Sequence, residues 1–291
     1  MTIYKRKLVH SYKAPVEKGF LGEGHLARGV ISLPYSQSDP FIALMDDMLD
    51  KKSNTPSGGP HPHAGFETVS LMLAGAIGDM IENLKAGDFQ IMTAGSGIVH
   101  TETINQPTKG RLLQMWLNLP QKERLVTPRV QDLPAEHVPV FKTDGLNIRI
   151  YSGTMAGVQS PILNYIPLIV AEFEIKPDLS TAQIIPANFN SFIYVIKGDV
   201  QVGEEKSILK EGETGWLNLI HEEESSELIL KAGSDGVRLV VYAAKPQGEK
   251  FASQGPFIGD TEQDIKKVYT RYLQGKLQHI AYTSEKQRIK Y

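Results

Sequence analysis

Two short segments carry side chains that could share a metal ion. The first, His61-Pro62-His63, opens the run HPHAGFETV; the second, His100-Thr101-Glu102, closes the run GDFQIMTAGSGIVHTE. Within each, the two potential ligands are separated by one residue, and in a β-strand residues i and i+2 point to the same face. Two such strands side by side would aim three imidazoles and one carboxylate at one point: His61, His63, His100 and Glu102. This donor set suits a borderline divalent cation such as iron, manganese, nickel, copper or zinc. The absence of thiolate argues against a closed structural zinc site. With one carboxylate the site keeps about one positive charge, which favours an enolate or phenolate ligand, and the cation lowers the pKa of a bound hydroxyl. Open coordination positions would remain for substrate and dioxygen.

The segments between these motifs set the expected scaffold. Residues 51–60 (KKSNTPSGGP) form a loop that delivers the chain to His61. Strands are expected at 66–73, 81–84, 89–92, 98–103 and 111–119, with a short apolar strand starting at Asp39-Pro40. Turns every eight to twelve residues indicate an all-β sandwich or barrel. Gly22-Glu23-Gly24 reads as a turn, because no strand–loop–helix pattern follows it to make a phosphate site.

The strand rhythm resumes after a proline-rich stretch and gives Leu168–Ile175, Ser191–Ile196, Asp199–Val202, Gly215–Leu219, Glu227–Leu230 and Val237–Ala243. The two halves read as a diverged repeat: Val69–Gly75 parallels Phe192–Gly198, and Lys85–Phe89 parallels Lys210–Thr214. At the place of His61-Pro62-His63 the second half has Ala187-Asn188-Phe189-Asn190, so it keeps the scaffold and loses the ligands. The division expected is 1–135 for the metal-binding domain, 136–146 for a linker and 147–291 for a second domain. Residues 261–277 place Ile265, Val268, Tyr269, Tyr272 and Leu273 at helical spacing, with Asp260 or Thr261 as N-cap and the apolar stripe packed on a barrel.

Composition narrows the setting. Of 291 residues, 41% are hydrophobic and 22% charged, which fits a globular chain. A formal net charge of -2 gives no basic excess for direct nucleic-acid binding. There is no cysteine, which removes disulfides and thiolate chemistry. No run is long and apolar enough for a signal peptide or a membrane helix, so a cytoplasmic location is expected.

The runs HPHAGFETV and GDFQIMTAGSGIVHTE, with Glu23-Gly24, Arg28, Asp39-Pro40-Phe41 and Gly255-Pro256-Phe257, resemble the pirin family of bicupin proteins. The resemblance implies an all-β fold of two tandem cupin-type β-barrels with a C-terminal α-helix. It implies iron, held by His61, His63, His100 and Glu102, and a monomer. It also implies quercetin 2,3-dioxygenase activity in some relatives, with an aromatic small molecule and dioxygen as reactants, flavonol ring cleavage and release of carbon monoxide. Other members act as transcriptional cofactors, through a protein partner. Glu67 lies outside the family's metal set and is expected to support the site rather than bind in it. Two departures stand out, neither at the four ligands: Ala76–Lys85 is shorter than in the family and lacks its acidic, histidine-containing segment, which alters the rim of the pocket, and Gln254 stands where a histidine is common before Gly-Pro-Phe.

Three functions compete. The first is a metal-dependent dioxygenase acting on flavonol-like enolisable aromatics, with Glu102 loosening from the metal to act as catalytic base. The second is a non-catalytic metal- or redox-sensing regulatory protein. The third is an isomerase or hydrolase using the same donors without oxygen. Phe66, Met72 and Met92 are expected to line the pocket or core. His10, His25, His137 and His279 have no partner at ligand spacing, and His221 reads as a surface residue.

Overall fold

The computed structural model describes residues 3–78, 83–101 and 103–291. Glu102, and Ile81 and Glu82 of the strand expected at 81–84, lie outside the described residues. Strands dominate, as the turn spacing predicts, and the longest described helix is Glu262–Leu273. It starts at Thr261, whose side chain forms a capping box with Asp264, and it stops before Gly275, short of the expected 277. Ile265 and Val268 are buried, whereas Tyr269 and Leu273 of the expected apolar stripe are exposed. None of the described helices is long and apolar enough to cross a membrane.

The chain divides into two compact units, though not by a single cut. One comprises Met1–Ala14, Ser32–Pro40 and Val138–Pro246; the other comprises Pro15–Ile31, Phe41–His137 and Gln247–Tyr291. This differs from the contiguous division at 135 and 147 read from the sequence. Strand pairing is the reason. Leu8–Tyr12 lies antiparallel to Thr214–Leu217, while the C-terminal strands Gln278–His279 and Arg288–Lys290 run parallel to Ile98–Thr101 and Arg129–Leu133.

The unit with the histidine motifs is built on a sheet whose neighbours run Arg288–Lys290, Arg129–Leu133, Phe89–Thr93, Phe66–Gly78, Thr108–Asn118, Phe41–Lys51, His25–Gly29 and Val16–Lys18. Phe66–Gly78 is buried through Leu73 on both faces, which is why its sequence does not alternate cleanly. The strand expected to be short near Asp39 runs from Phe41 to Lys51. Its length is masked by charge: buried Asp46 takes a two-pronged bond from Arg111 (2.8 and 2.7 Å), and Asp47 meets His25 Nε2 at 2.8 Å. A second sheet has three strands, Gln278–His279, Ile98–Thr101 and Pro60–His63, in that order. This small sheet carries the histidine motifs.

The other unit is filled by aliphatic and aromatic side chains, among them Ile148, Ile150, Phe173, Ile193, Val195, Leu228 and Leu239. At the segment that corresponds to the histidine pair, Ala187 and Phe189 are buried. Their backbone is held by a buried guanidinium. Arg6 donates to the carbonyls of Pro186 (2.7 Å), Ala187 (2.8 Å), Phe189 (3.1 Å) and Asn218, and to Ser226 Oγ (2.7 Å). Burial lowers the guanidinium pKa to about 10. A cation satisfied by carbonyl dipoles thus organises this end of the second unit. Arg6→Met should strand those acceptors and cost about 3 kcal/mol of stability, read by urea unfolding through Trp216 fluorescence in a Trp116→Phe background.

Candidate metal centre

Antiparallel pairing places His100 opposite His61 and Ile98 opposite His63. Because Ile98 and His100 share a face, as do His61 and His63, three imidazoles emerge on one side of the small sheet. His100 Nε2 lies 2.7 Å from His61 Nε2 and 3.0 Å from His63 Nε2. Ligand atoms of the three residues all fall within 4.8 Å of one another, and this is the group suited to a metal ion among the described residues. His63 and His100 are buried, and His61 is half-buried.

The donor set fits a cation better than it fits hydrogen bonding. An imidazole nitrogen carries in its plane either one proton or one lone pair, and so completes one well-aligned hydrogen bond. His100 Nε2 faces two nitrogens, and no placement of protons serves both contacts, whereas a cation accepts a lone pair from each ring. Two nitrogens about 2.1 Å from a shared cation lie about 3.0 Å apart at right angles and about 3.4 Å apart at tetrahedral angles. The separations from His100, 2.7 and 3.0 Å, are short enough for the rings to share one cation.

Surrounding groups hold the rings in the ligating form. His61 Nδ1 donates to the Gly59 carbonyl at 2.9 Å, which leaves the Nε2 lone pair turned toward the other rings. His63 meets the rings of Phe66 and Trp116 edge-on, with centroids 5.2 and 5.5 Å away, and its Nδ1 is buried without a partner. Burial, reinforced by His100 and His61, drives the His63 pKa well below its ordinary value and keeps the ring neutral. Beside His100 a cavity of 30 Å³ is lined by Thr68, Ser70, Gln90, Thr101 and Gln114, with Ile77, Leu84 and Leu112 as its apolar wall.

Other sequence expectations fall as follows. Met72 and Met92 belong to apolar clusters. His10 and His221 are exposed. His25 pairs with Asp47, His137 Nδ1 donates to the Tyr291 carbonyl, and His279 reaches Thr101. The polar cavity wall and Trp116 were not singled out from the sequence. Their signal was the alternation of Thr68, Ser70 and Gln114, Trp116 along paired strands, which gains meaning only once the register is known.

Two family models match the chain, pirin over residues 32–117 and the pirin C-terminal cupin domain over residues 170–278. A pirin-like protein of Solanum lycopersicum is 33% identical over 263 residues, covering 88% of each chain. The chain belongs to the pirin family. Among solved structures, quercetin 2,3-dioxygenase from Acinetobacter baumannii matches with a TM-score of 0.80 at 23% identity, over 94% of this chain and 98% of that one. The bacterial pirin YhhW from Escherichia coli, in complex with nickel(II), matches with a TM-score of 0.59 at 18% identity, over 81% and 98%. At these identities the likeness is one of fold, and it makes the pirin chain a bicupin.

Glu67 follows the second histidine by four residues but stands outside the group of three rings. It is buried and accepts a hydrogen bond from Thr93 Oγ1 at 2.6 Å, and burial raises its pKa from 4.5 to about 7. Between those values the folded chain binds more protons than the unfolded one, so this residue's contribution to stability falls as pH rises. Glu67→Gln keeps an acceptor for Thr93 and removes that slope. Its stability advantage in urea unfolding should grow from near zero below about pH 4 to about 3 kcal/mol at about pH 8; a pH-independent difference would contradict the shifted carboxyl.

Proposed function

We propose that this pirin is a metal-dependent dioxygenase acting on flavonol-like, enolisable aromatics. The observation that carries the reading is the meeting of three imidazole nitrogens, two of them 2.7 and 3.0 Å from the third, beside a cavity with hydroxyl and amide walls. His61, His63 and His100 would hold the ion, with Glu102 as fourth ligand by its i+2 spacing from His100. Iron is the leading choice, and manganese, nickel, copper and zinc share the preference for such donors. When bound, the metal supplies a Lewis acid that favours the deprotonated substrate and a redox centre for dioxygen.

The chain's own groups then have distinct tasks. His61, held by Gly59, and His63, kept neutral by burial, preserve lone pairs for the ion. Glu102 takes the proton of the substrate hydroxyl. Thr68, Ser70, Gln90 and Gln114 offer hydrogen-bonding groups to the oxygen edge of the substrate or to dioxygen. The cavity is small, about 30 Å³, so a substrate would place there only its chelating oxygen edge.

The test is oxygen uptake and carbon monoxide release by iron-loaded protein given quercetin. His61→Ala should lose bound metal and reduce uptake by about a hundredfold or more. Metal-loaded wild-type protein that takes up no oxygen with any supplied ion would remove the dioxygenase reading and leave the regulatory and oxygen-independent ones.

A further inference from the structure

Both ligand segments lean on the C-terminal part of the chain. Ala64, next to His63, donates its N–H to the Pro256 carbonyl at 3.2 Å and accepts from the Ile258 N–H at 2.9 Å. Gly65 sits at φ +84, where a Cβ would overlap the Ile258 carbonyl. On the other side, Arg271 Nη1 donates to the Ser96 carbonyl at 2.9 Å, and a Cβ on Gly97 (φ +117) would lie 2.8 Å from Leu277 Cδ2. Ala64 and Val99 contribute to one apolar cluster with Phe257, Val268 and Leu277.

The last link is the strand Gln278–His279, parallel to Ile98–Val99. Without it Ile98–Thr101 would be the edge of its sheet, four residues long with a ligand next to its end, and free to fray. His279 closes that end. Its Nδ1 accepts the Ala281 N–H at 3.1 Å, which leaves the ring proton on Nε2, and Nε2 donates to Thr101 Oγ1 at 2.8 Å. Thr101 separates His100 from Glu102 in sequence and lines the cavity beside His100.

We propose that His279 is a positioning residue for the metal centre. Its bond to Thr101 holds the end of the ligand strand in the rotation that aims His100 at His61 and His63. The role rests on the metal-binding reading above. Ligand geometry must be kept to about 0.5 Å, and outer partners of metal ligands typically contribute about tenfold or more to affinity.

Cobalt(II) titration followed by calorimetry and by the visible spectrum of the bound ion tests this. His279→Phe fills the ring's volume without the bond, His279→Gln returns a donor at the same reach, and Thr101→Val removes the acceptor. His279→Phe and Thr101→Val should each weaken cobalt binding about tenfold and change the spectrum, and the double variant should be no worse than either. His279→Gln should restore affinity to within about threefold. A wild-type affinity and spectrum in His279→Phe, or additive losses in the double variant, would overturn the assignment. If His279→Phe fails to fold, Thr101→Val decides the same question with the ring in place. Wild-type protein that binds no cobalt would sink the metal reading itself, and this role with it.

Discussion

The register between Pro60–His63 and Ile98–Thr101 is the constraint on which the site depends. A slip of one residue would turn His100 to the opposite face from His61 and His63, because side chains alternate along a strand. The chain protects the register with apolar burial. Ile98 packs with Met92, Ala94, Val130 and Ile280, and it shares its face with His100. The hydrophobic effect that buries Ile98 therefore also orients the His100 imidazole, and the histidine's direction does not depend on a cation being present.

The same burial sets the electrostatics. His63, walled by Phe66 and Trp116, is kept neutral, the form in which an imidazole can ligate. Four residues on, burial raises the Glu67 carboxyl toward neutrality, with Thr93 as its partner. The two groups show opposite shifts from one cause, the cost of a charge in a dry interior. In the second unit the interior is aliphatic and aromatic, and Arg6, held by carbonyls, organises the segment that corresponds to the histidine pair. The repeat has kept its strands while exchanging a donor cluster for hydrocarbon packing.

What was legible in the sequence was what is local. The i+2 spacing of His61 and His63 and the strand parity around His100 needed a single assumption, that the two segments pair. The capping box at Thr261 could be read three residues at a time. The domain boundaries could not, because Leu8–Tyr12 and Gln278–His279 acquire their allegiance through hydrogen bonds to strands far away in the chain. Arg6 looked like one of several basic residues near the N-terminus, and His279 like an isolated histidine. Each gains its meaning from neighbours that only the folded chain supplies. The length of Phe41–Lys51 is hidden in the sequence because Asp46 and Asp47 resemble a loop until Arg111 and His25 are seen beside them.

The strand order of the small sheet also has a consequence for biosynthesis. His61, His63 and His100 emerge from the ribosome long before Gln278 and His279, which complete their sheet. During most of translation the histidine-bearing edge is only half assembled, with Ile98–Thr101 lacking its outer neighbour. A metal bound in the final geometry would therefore have to be captured by the finished polypeptide, and a nascent or prematurely terminated product would present the histidines without the strand that steadies them.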